Sequence, residues 1–448
     1  MNFDYDLFII GAGPGGLAAA ERAATYGVRI AIAEQDRVGG TCVVHGCIPE
    51  KLMNYAASFS QALQNADEYG WGKVSHHFDW SRFMAAKTKN IDHLCQVHTQ
   101  HLQEAGVKLI DGQASFLNAH TVKIGHQQFT AKKILIAVGG KAIKPENIPG
   151  IESAITTREM LELKNSPEHL AIIGSNHIAV KSAGIMNALV PKVTLILPEE
   201  QILPGCDQDL QTAVHEGMSQ EGIQILCQTR VEKIETVLTG LKLWLSSDNP
   251  TQLIVNTVVW IGDRVPNLER LDLEKAGVKV EHGAIAVNDD NRTTQPNIFA
   301  IGDCTSRPHW TPVAIASGRA FADTEFGQIP HRVSYENIPY VVASRPEAAT
   351  IGLTETQARR KFGDSVHCYL KKFQPLFNLM GESKQETLLK IVIDSNSDRI
   401  IGVHMVGNYA AEIIQMIAPA IKAGVTKKHF DLSIGIHPSI GEEFFTIR

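Results

Sequence analysis

Two cysteines, Cys42 and Cys47, are separated by four residues inside the run GGTCVVHGCIPEK. One short loop can therefore hold both sulfurs, and local redox chemistry is the function that such a pair offers. Pro49 is well placed as the first residue of a following helix. The partial positive charge at a helix N-terminus favours thiolate, the form that thiol–disulfide exchange and electron transfer both need. A second chemical signal lies near the start of the chain. Gly11, Gly13 and Gly16 spell GxGxxG directly after an apolar run, a turn in which backbone can approach a pyrophosphate resting on a helix N-terminus. Glu34 follows Gly11 by 23 residues, at the end of the next apolar run, where a carboxylate can accept hydrogen bonds from ribose hydroxyls.

These residues need elements to position them. The apolar run 5–10, a helix bearing Leu17, Ala18, Ala20 and Ala23, and the strand 28–34 make one βαβ unit. A second unit starts with HLAIIG at 169–174, continues as the helix AVKSAGIMNAL and returns as KVTLIL at 192–197. Between the two, the pattern predicts a helix from Pro49 to about Asn65, another from about Trp80 to Glu104, and a strand ending in AVGG at 137–140. After 335 a strand and helix pattern runs to the end, and we read it as an interface domain.

With 448 residues the chain is expected to form more than one domain. Hydrophobic residues make up 44% and charged residues 20%, ordinary globular usage, and the net charge of −6 offers no footprint for nucleic acid or for an anionic membrane surface. No apolar run reaches the length of a membrane span, and the first strand begins at Tyr5 with no leader before it, so a cytoplasmic protein is expected. Seven scattered cysteines do not make a secreted disulfide framework. No metal is assigned.

Taken together, GGTCxxxGCxPxK, AIGDC, TPVAIASGR and a terminal HPSIGEEF resemble the glutathione reductase family over the whole chain, its cyanobacterial members in particular. The resemblance implies an α/β fold with two Rossmann-like dinucleotide-binding domains, of FAD and NAD(P) type, and an α+β C-terminal dimerisation domain. The implied boundaries are 1–148 for the FAD domain with its cysteine pair, 149–267 for the NAD(P)-type domain, 268–335 for a central domain completing the FAD site, and 336–448 for the interface domain. It also implies that Cys42 exchanges with substrate while Cys47 faces the flavin. Gly40, Thr41, Gly139, Asp303 and Thr311 would join Gly11, Gly13, Gly16 and Glu34 around FAD, with Asp303 on the ribityl chain. His437 and Glu442 match the acid–base dyad, with Glu442 orienting the imidazole that handles the Cys42 proton. That histidine would come from the other subunit, so a homodimer with shared active sites is expected. Lys51 and Arg319 match positions that meet glutathione, whereas Pro14 and Glu21 replace a serine and an arginine of the mammalian enzymes. His98, one helical turn from Cys95, and His45 are candidates for lining the disulfide entrance, with a structural role as the plainer reading of both.

The second unit departs from the family. It reads Gly174-Ser175-Asn176-His177-Ile178-Ala179, so Asn176 stands where a glycine lets the pyrophosphate approach. Asn tolerates left-handed backbone angles, so the turn is expected to survive while its binding surface is lost. Leu197 replaces a ribose-reading carboxylate, Pro198 and Pro204 replace the arginines that hold a 2′-phosphate, Glu199 and Glu200 would repel one, Asp263 replaces a small glycine, and His177 replaces a tyrosine flap. Binding of NAD(P)H is therefore expected to be weak or absent. A further contrast is an inverted pair: Glu50 and Lys181 stand where the family has Lys near the flavin and Glu in the second unit's helix. We read Glu50 and Lys181 as catalytic candidates that retune the flavin, with a neutral exchange of a structural ion pair as the alternative.

Three readings follow. The first is an FAD-dependent disulfide oxidoreductase that takes electrons from a protein or other small donor, or runs toward oxidation, on a small or protein disulfide. The second is a conventional NADPH-dependent reductase, and the third is a non-catalytic FAD-binding dimer.

Overall fold

A computed structural model describes residues 2–72, 77–246, 251–381 and 383–448. It contains two compact units, each built from separated stretches of chain: 1–52, 81–143 and 263–335 in one, and 53–80, 144–262 and 336–448 in the other.

The first unit is organised on a seven-stranded sheet. Its central strand Tyr5–Ile10 pairs in parallel with Ile30–Glu34 on one side and Gln127–Ile136 on the other. Lys108–Asp111 extends one edge and Ile298–Ala300 adds in parallel to Gln127–Ile136. The strand FII of the opening run is hydrophobic at every position because both faces are covered, as parallel sheets require. Leu7 and Ile9 face the helix side with Leu17, Ala20 and Phe321, while Phe8 and Ile10 pack with Phe116, Val122 and Ile298. Helix Pro14–Ala24 crosses from the first strand to the second, and helix Thr311–Phe326 lies so close to it that a Cβ on Gly318 would fall 2.4 Å from the Gly15 carbonyl oxygen. That contact sets the TPVAIASGR segment against the first turn of the helix that follows the glycine turn.

The second unit contains a four-stranded parallel sheet in the order 224–226, 193–196, 170–173, 257–260, a three-stranded antiparallel sheet, and a five-stranded antiparallel sheet ordered 340–342, 348–352, 399–406, 387–394, 366–373. Helix Ala410–Lys422 buries Ala410, Ile414, Ala418 and Ile421 against the last of these, steps of four, four and three residues that lay one apolar stripe on the sheet. Among the described residues no helix is long and apolar enough to cross a membrane.

Local differences from the sequence-based expectation have physical causes. The helix after the redox loop begins at Cys47 rather than Pro49, so the proline is its third residue, where a missing N–H still costs nothing. Cys42 lies on a short helix of its own, Gly40–Val44, reached through left-handed Gly39 and Gly40. The strand expected to end in AVGG stops at Ile136, and Gly140–Ala142 starts a separate pairing with Arg264–Pro266.

Candidate active site

The glycine turn divides its work among three residues. A Cβ on Gly11, whose φ is +106°, would sit 2.5 Å from the Ala137 carbonyl oxygen, and one on Gly16 would sit 2.0 Å from the Gly11 carbonyl oxygen. Both are needed for strand and helix to approach. Gly13 is different: its φ is −77° and a Cβ there would meet nothing within 4 Å, so its small size leaves open space rather than relieving strain. No side chain caps the helix that starts at Pro14, and its first amides therefore remain available to an anion. Glu34 braces the turn. Its carboxylate accepts from the Ala12 amide at 2.8 Å and from the Gln35 and Asp36 amides at 2.9 Å each. An open cradle, an uncapped helix N-terminus and a carboxylate at the end of the second strand suit the pyrophosphate and ribose of FAD.

Further along the same unit, Asp303 lies 3.5 Å from Arg264, whose guanidinium also donates to the Gly140 carbonyl at 2.8 Å. Gly139, with φ +66°, precedes that point in the turn after strand Gln127–Ile136. Gly40 touches the phosphate turn directly: a Cβ on it would be 2.7 Å from the Gly13 Cα. Thr41 is exposed beside it.

Cys42 and Cys47 are free thiols in hydrogen-bonding contact with one another. Cys47 opens the 19-residue helix Cys47–Asn65, and its Sγ is 3.6 Å from the Thr311 Oγ1. The sulfur thus stands at the positive end of a long helix with a hydroxyl beside it, an arrangement that favours negative charge there. The Cys42 thiol is held well above the ordinary range, first by the hydrogen bond to Cys47, then by burial and by the Cys47 charge, with Glu50 adding to the rise and Thr311 opposing it. Glu50 is buried in the first turn of the same helix. Cys42 is thus the sulfur on which this geometry holds a proton.

In the second unit, His437 Nδ1 lies 3.1 Å and 3.2 Å from the two Glu442 carboxylate oxygens. The Ser439 amide donates to the same carboxylate at 2.9 Å, so Glu442 is fixed while the imidazole is 83% exposed. That exposure fits a side chain that works on something outside its own unit's core.

The second glycine-type turn is where the structure corrects an expectation. Asn176 is not left-handed: φ is −73° and ψ 173°, the extended geometry of an N-cap. Its Oδ1 accepts from the Ile178 and Ala179 amides at 3.0 and 3.1 Å. Side chain and amides therefore satisfy each other at the place where the first unit leaves its amides uncapped. Gly174 retains the packing role of the first glycine, with φ +145° and a would-be Cβ 2.2 Å from the Ile261 carbonyl oxygen, and Ala179 is fully buried below it. Leu197 is fully buried in the core, and the Leu203 amide donates to the Ser175 carbonyl at 2.7 Å, holding the following loop over the turn. The second turn thus differs from the first in having a side chain bonded to its leading helix amides.

Of the remaining predicted residues, Lys181 is half-buried on helix His177–Asn187, Lys51 half-buried and Arg319 exposed. His45 pairs with Asp36 at 3.2 Å within the redox loop. His98 is joined by Glu21 and His101, a grouping missed in the sequence because Glu21 belongs to a different helix. The i, i+3 spacing of the two histidines was the available signal.

A parallel sheet with a glycine turn open to a dinucleotide, and a cysteine pair at a helix start beside it, define a flavoprotein disulfide oxidoreductase. Comparison with known proteins agrees. Residues 5–318 match the model of the pyridine nucleotide-disulphide oxidoreductases and residues 338–448 that of their dimerisation domain. The chain is 47% identical over 460 aligned residues to a glutathione reductase of Nostoc sp., covering all of both chains. It is 38% identical to one of Burkholderia cepacia, covering all of this chain and 99% of the other, and 37% to a chloroplastic/mitochondrial one of Pisum sativum, covering all of this chain and 83% of the other. The chain belongs to the pyridine nucleotide-disulphide oxidoreductase family, on its glutathione reductase branch, and is an enzyme with FAD as cofactor.

Proposed function

We propose that this enzyme passes electrons between FAD and a disulfide substrate through Cys42 and Cys47, and that NAD(P)H is a poor donor or none. The observation that carries the second part is the Asn176 side chain bonded to the Ile178 and Ala179 amides. Donors already satisfied cannot be offered to a phosphate without first breaking that cap. The electron donor would then be a protein or another small molecule. FAD, held by the residues assigned to it below, would supply a two-electron carrier for the dithiol.

In the reductive direction the Cys42 thiolate attacks one substrate sulfur, forming a mixed disulfide and releasing the first thiol. Cys47 then attacks the Cys42 sulfur, releasing the second thiol and closing the Cys42–Cys47 disulfide. His437, held through Nδ1 by Glu442, accepts the Cys42 proton and returns it to the first leaving thiolate, while the second takes its proton from solvent. We assign the histidine to the partner's site, which makes the homodimer a requirement of the chemistry. Gly11, Gly13, Gly16, Glu34, Gly40, Thr41, Gly139, Asp303 and Thr311 are our assignment for FAD, and Lys51, Arg319 and His98 for the substrate side. The four-domain division and a cytoplasmic setting belong to the same proposal.

A second reading, a conventional NADPH-dependent glutathione reductase, is favoured by the 47% identity over the full chain to an enzyme of that name. Anaerobic mixing with NADPH and with NADH separates the two. On our reading neither bleaches the flavin within the turnover time of a reductase, while dithionite reduces flavin and disulfide both. Fast bleaching by either nucleotide would overturn it and establish the conventional enzyme.

A further inference from the structure

Besides the cysteine pair, one group of side chains has the composition of a transition-metal site. Glu21 on helix Pro14–Ala24 and His98 and His101 on helix Trp80–Glu104 each bring one ligand atom within 4.8 Å of the other two. His98 and His101 are three residues apart on one helix, so their rings share a face, and they meet edge-on with centroids 6.4 Å apart. The third ligand comes from a different helix of the same unit, which fixes the distance between the imidazoles and the carboxylate.

The state of His98 is the independent observation. Its Nδ1 is shielded from solvent and has no hydrogen-bond partner among the described residues. A buried polar atom without a partner costs about 1–3 kcal/mol, and a histidine with a purely structural role avoids that by bonding to a carbonyl or hydroxyl. Here the ring is placed beside a second imidazole and a carboxylate instead. Two neutral imidazoles and one carboxylate suit a borderline divalent ion of the zinc type rather than magnesium or calcium, which take oxygen ligands. Three protein ligands leave one position open for water or a thiolate. The helix carrying both histidines also packs Ile91 and Cys95 against Val43 and Val44, the two residues after Cys42. Such an ion would therefore be held by the element that backs the redox loop.

We propose that Glu21, His98 and His101 bind one zinc-type divalent ion per chain. The test uses the FAD-loaded protein with Cys42 and Cys47 oxidised to their disulfide, so that these sulfurs do not compete. Zn2+ is titrated by calorimetry and Co2+ by visible absorption. One ion per chain is expected, with cobalt ligand-field bands and no thiolate charge-transfer band. Glu21→Gln and His101→Ala should each weaken binding at least tenfold, and the His98→Ala, His101→Ala double variant should abolish it. Flavin absorbance and circular dichroism confirm that each variant is folded; Glu21→Gln and His101→Ala, which change half-buried or exposed side chains, keep the test decisive if the double variant is not. Equal stoichiometry and affinity in wild type and both single variants would overturn the proposal, as would a cobalt spectrum dominated by sulfur ligation.

Discussion

The His437 imidazole is tethered through Nδ1 to Glu442, 3.1 Å away, so Nε2 is the nitrogen left to carry a proton. Positioned acid–base groups contribute roughly a hundred- to ten-thousand-fold to rate. In prereduced enzyme, His437→Ala should slow reoxidation by a small disulfide by that order, and Glu442→Ala should give a smaller loss. Stopped-flow absorbance of the flavin and thiolate bands checks this. Wild-type rates in His437→Ala would remove the histidine from the mechanism.

Asn176→Gly should open the second turn. Replacing an Asn cap by Gly costs only a few tenths of a kcal/mol, against about 1 kcal/mol for Ala, so the fold is retained. Nucleotide affinity should rise by at least tenfold, about 1.4 kcal/mol, measured as NADPH and NADH dissociation constants by fluorescence or calorimetry. Equal affinities in variant and wild type would show that the cap is not what limits binding.

Glu50 adds negative charge beside Cys42 and raises its thiol, so Glu50→Gln should move Cys42 ionisation to lower pH. The pH profile of iodoacetamide alkylation of the reduced protein reads this directly, and an unshifted profile would mean that the carboxylate is not felt there. In the same assay Cys47→Ser should release Cys42 from its strongest raising influence. The exchanged pair Glu50→Lys, Lys181→Glu should alter the flavin midpoint potential, and an unchanged potential would leave the pair a neutral replacement.

Lys390, only 2% exposed, is bonded to Asp207 at 2.9 Å, Asp209 at 2.6 Å and Glu355 at 2.8 Å. Removing one partner of a buried ionic group leaves uncompensated charge, so Lys390→Met should cost about 3–5 kcal/mol in urea unfolding. The hydrogen bond to Lys390, against a smaller contribution from burial, holds the Glu355 carboxyl down to about 2 from its ordinary 4.5. A depressed folded-state value stabilises above the unfolded one. That contribution is thus complete above about pH 4.5 and disappears as pH falls toward 2. Melting temperatures across this window should fall more steeply in wild type than in Lys390→Met.

Much of this was legible in the residues. Helix Trp80–Glu104 has the ends that its periodicity predicts, because a long amphipathic stretch leaves little freedom in where it stops. The roles of Gly11 and Gly16 follow from GxGxxG, whose spacing reflects the strand and helix packing found at both glycines. What escaped depends on backbone angles and on distant pairs. The short helix holding Cys42 exists because Gly39 and Gly40 are left-handed, which no apolar pattern records. Asn176 was read as a residue tolerating a strained angle, but it adopts an unstrained one and acts through its side chain. Glu21 meets His98 and His101 only after two helices pack.

Because Gly40 rests on the backbone of Gly13, the loop that presents the cysteines and the cradle that receives the cofactor's phosphates cannot shift independently. Stripping the flavin should loosen both together. The redox loop would then be cleaved readily by protease in the apoprotein and protected once FAD is restored, so that prosthetic-group loading acts as a licence for thiol chemistry.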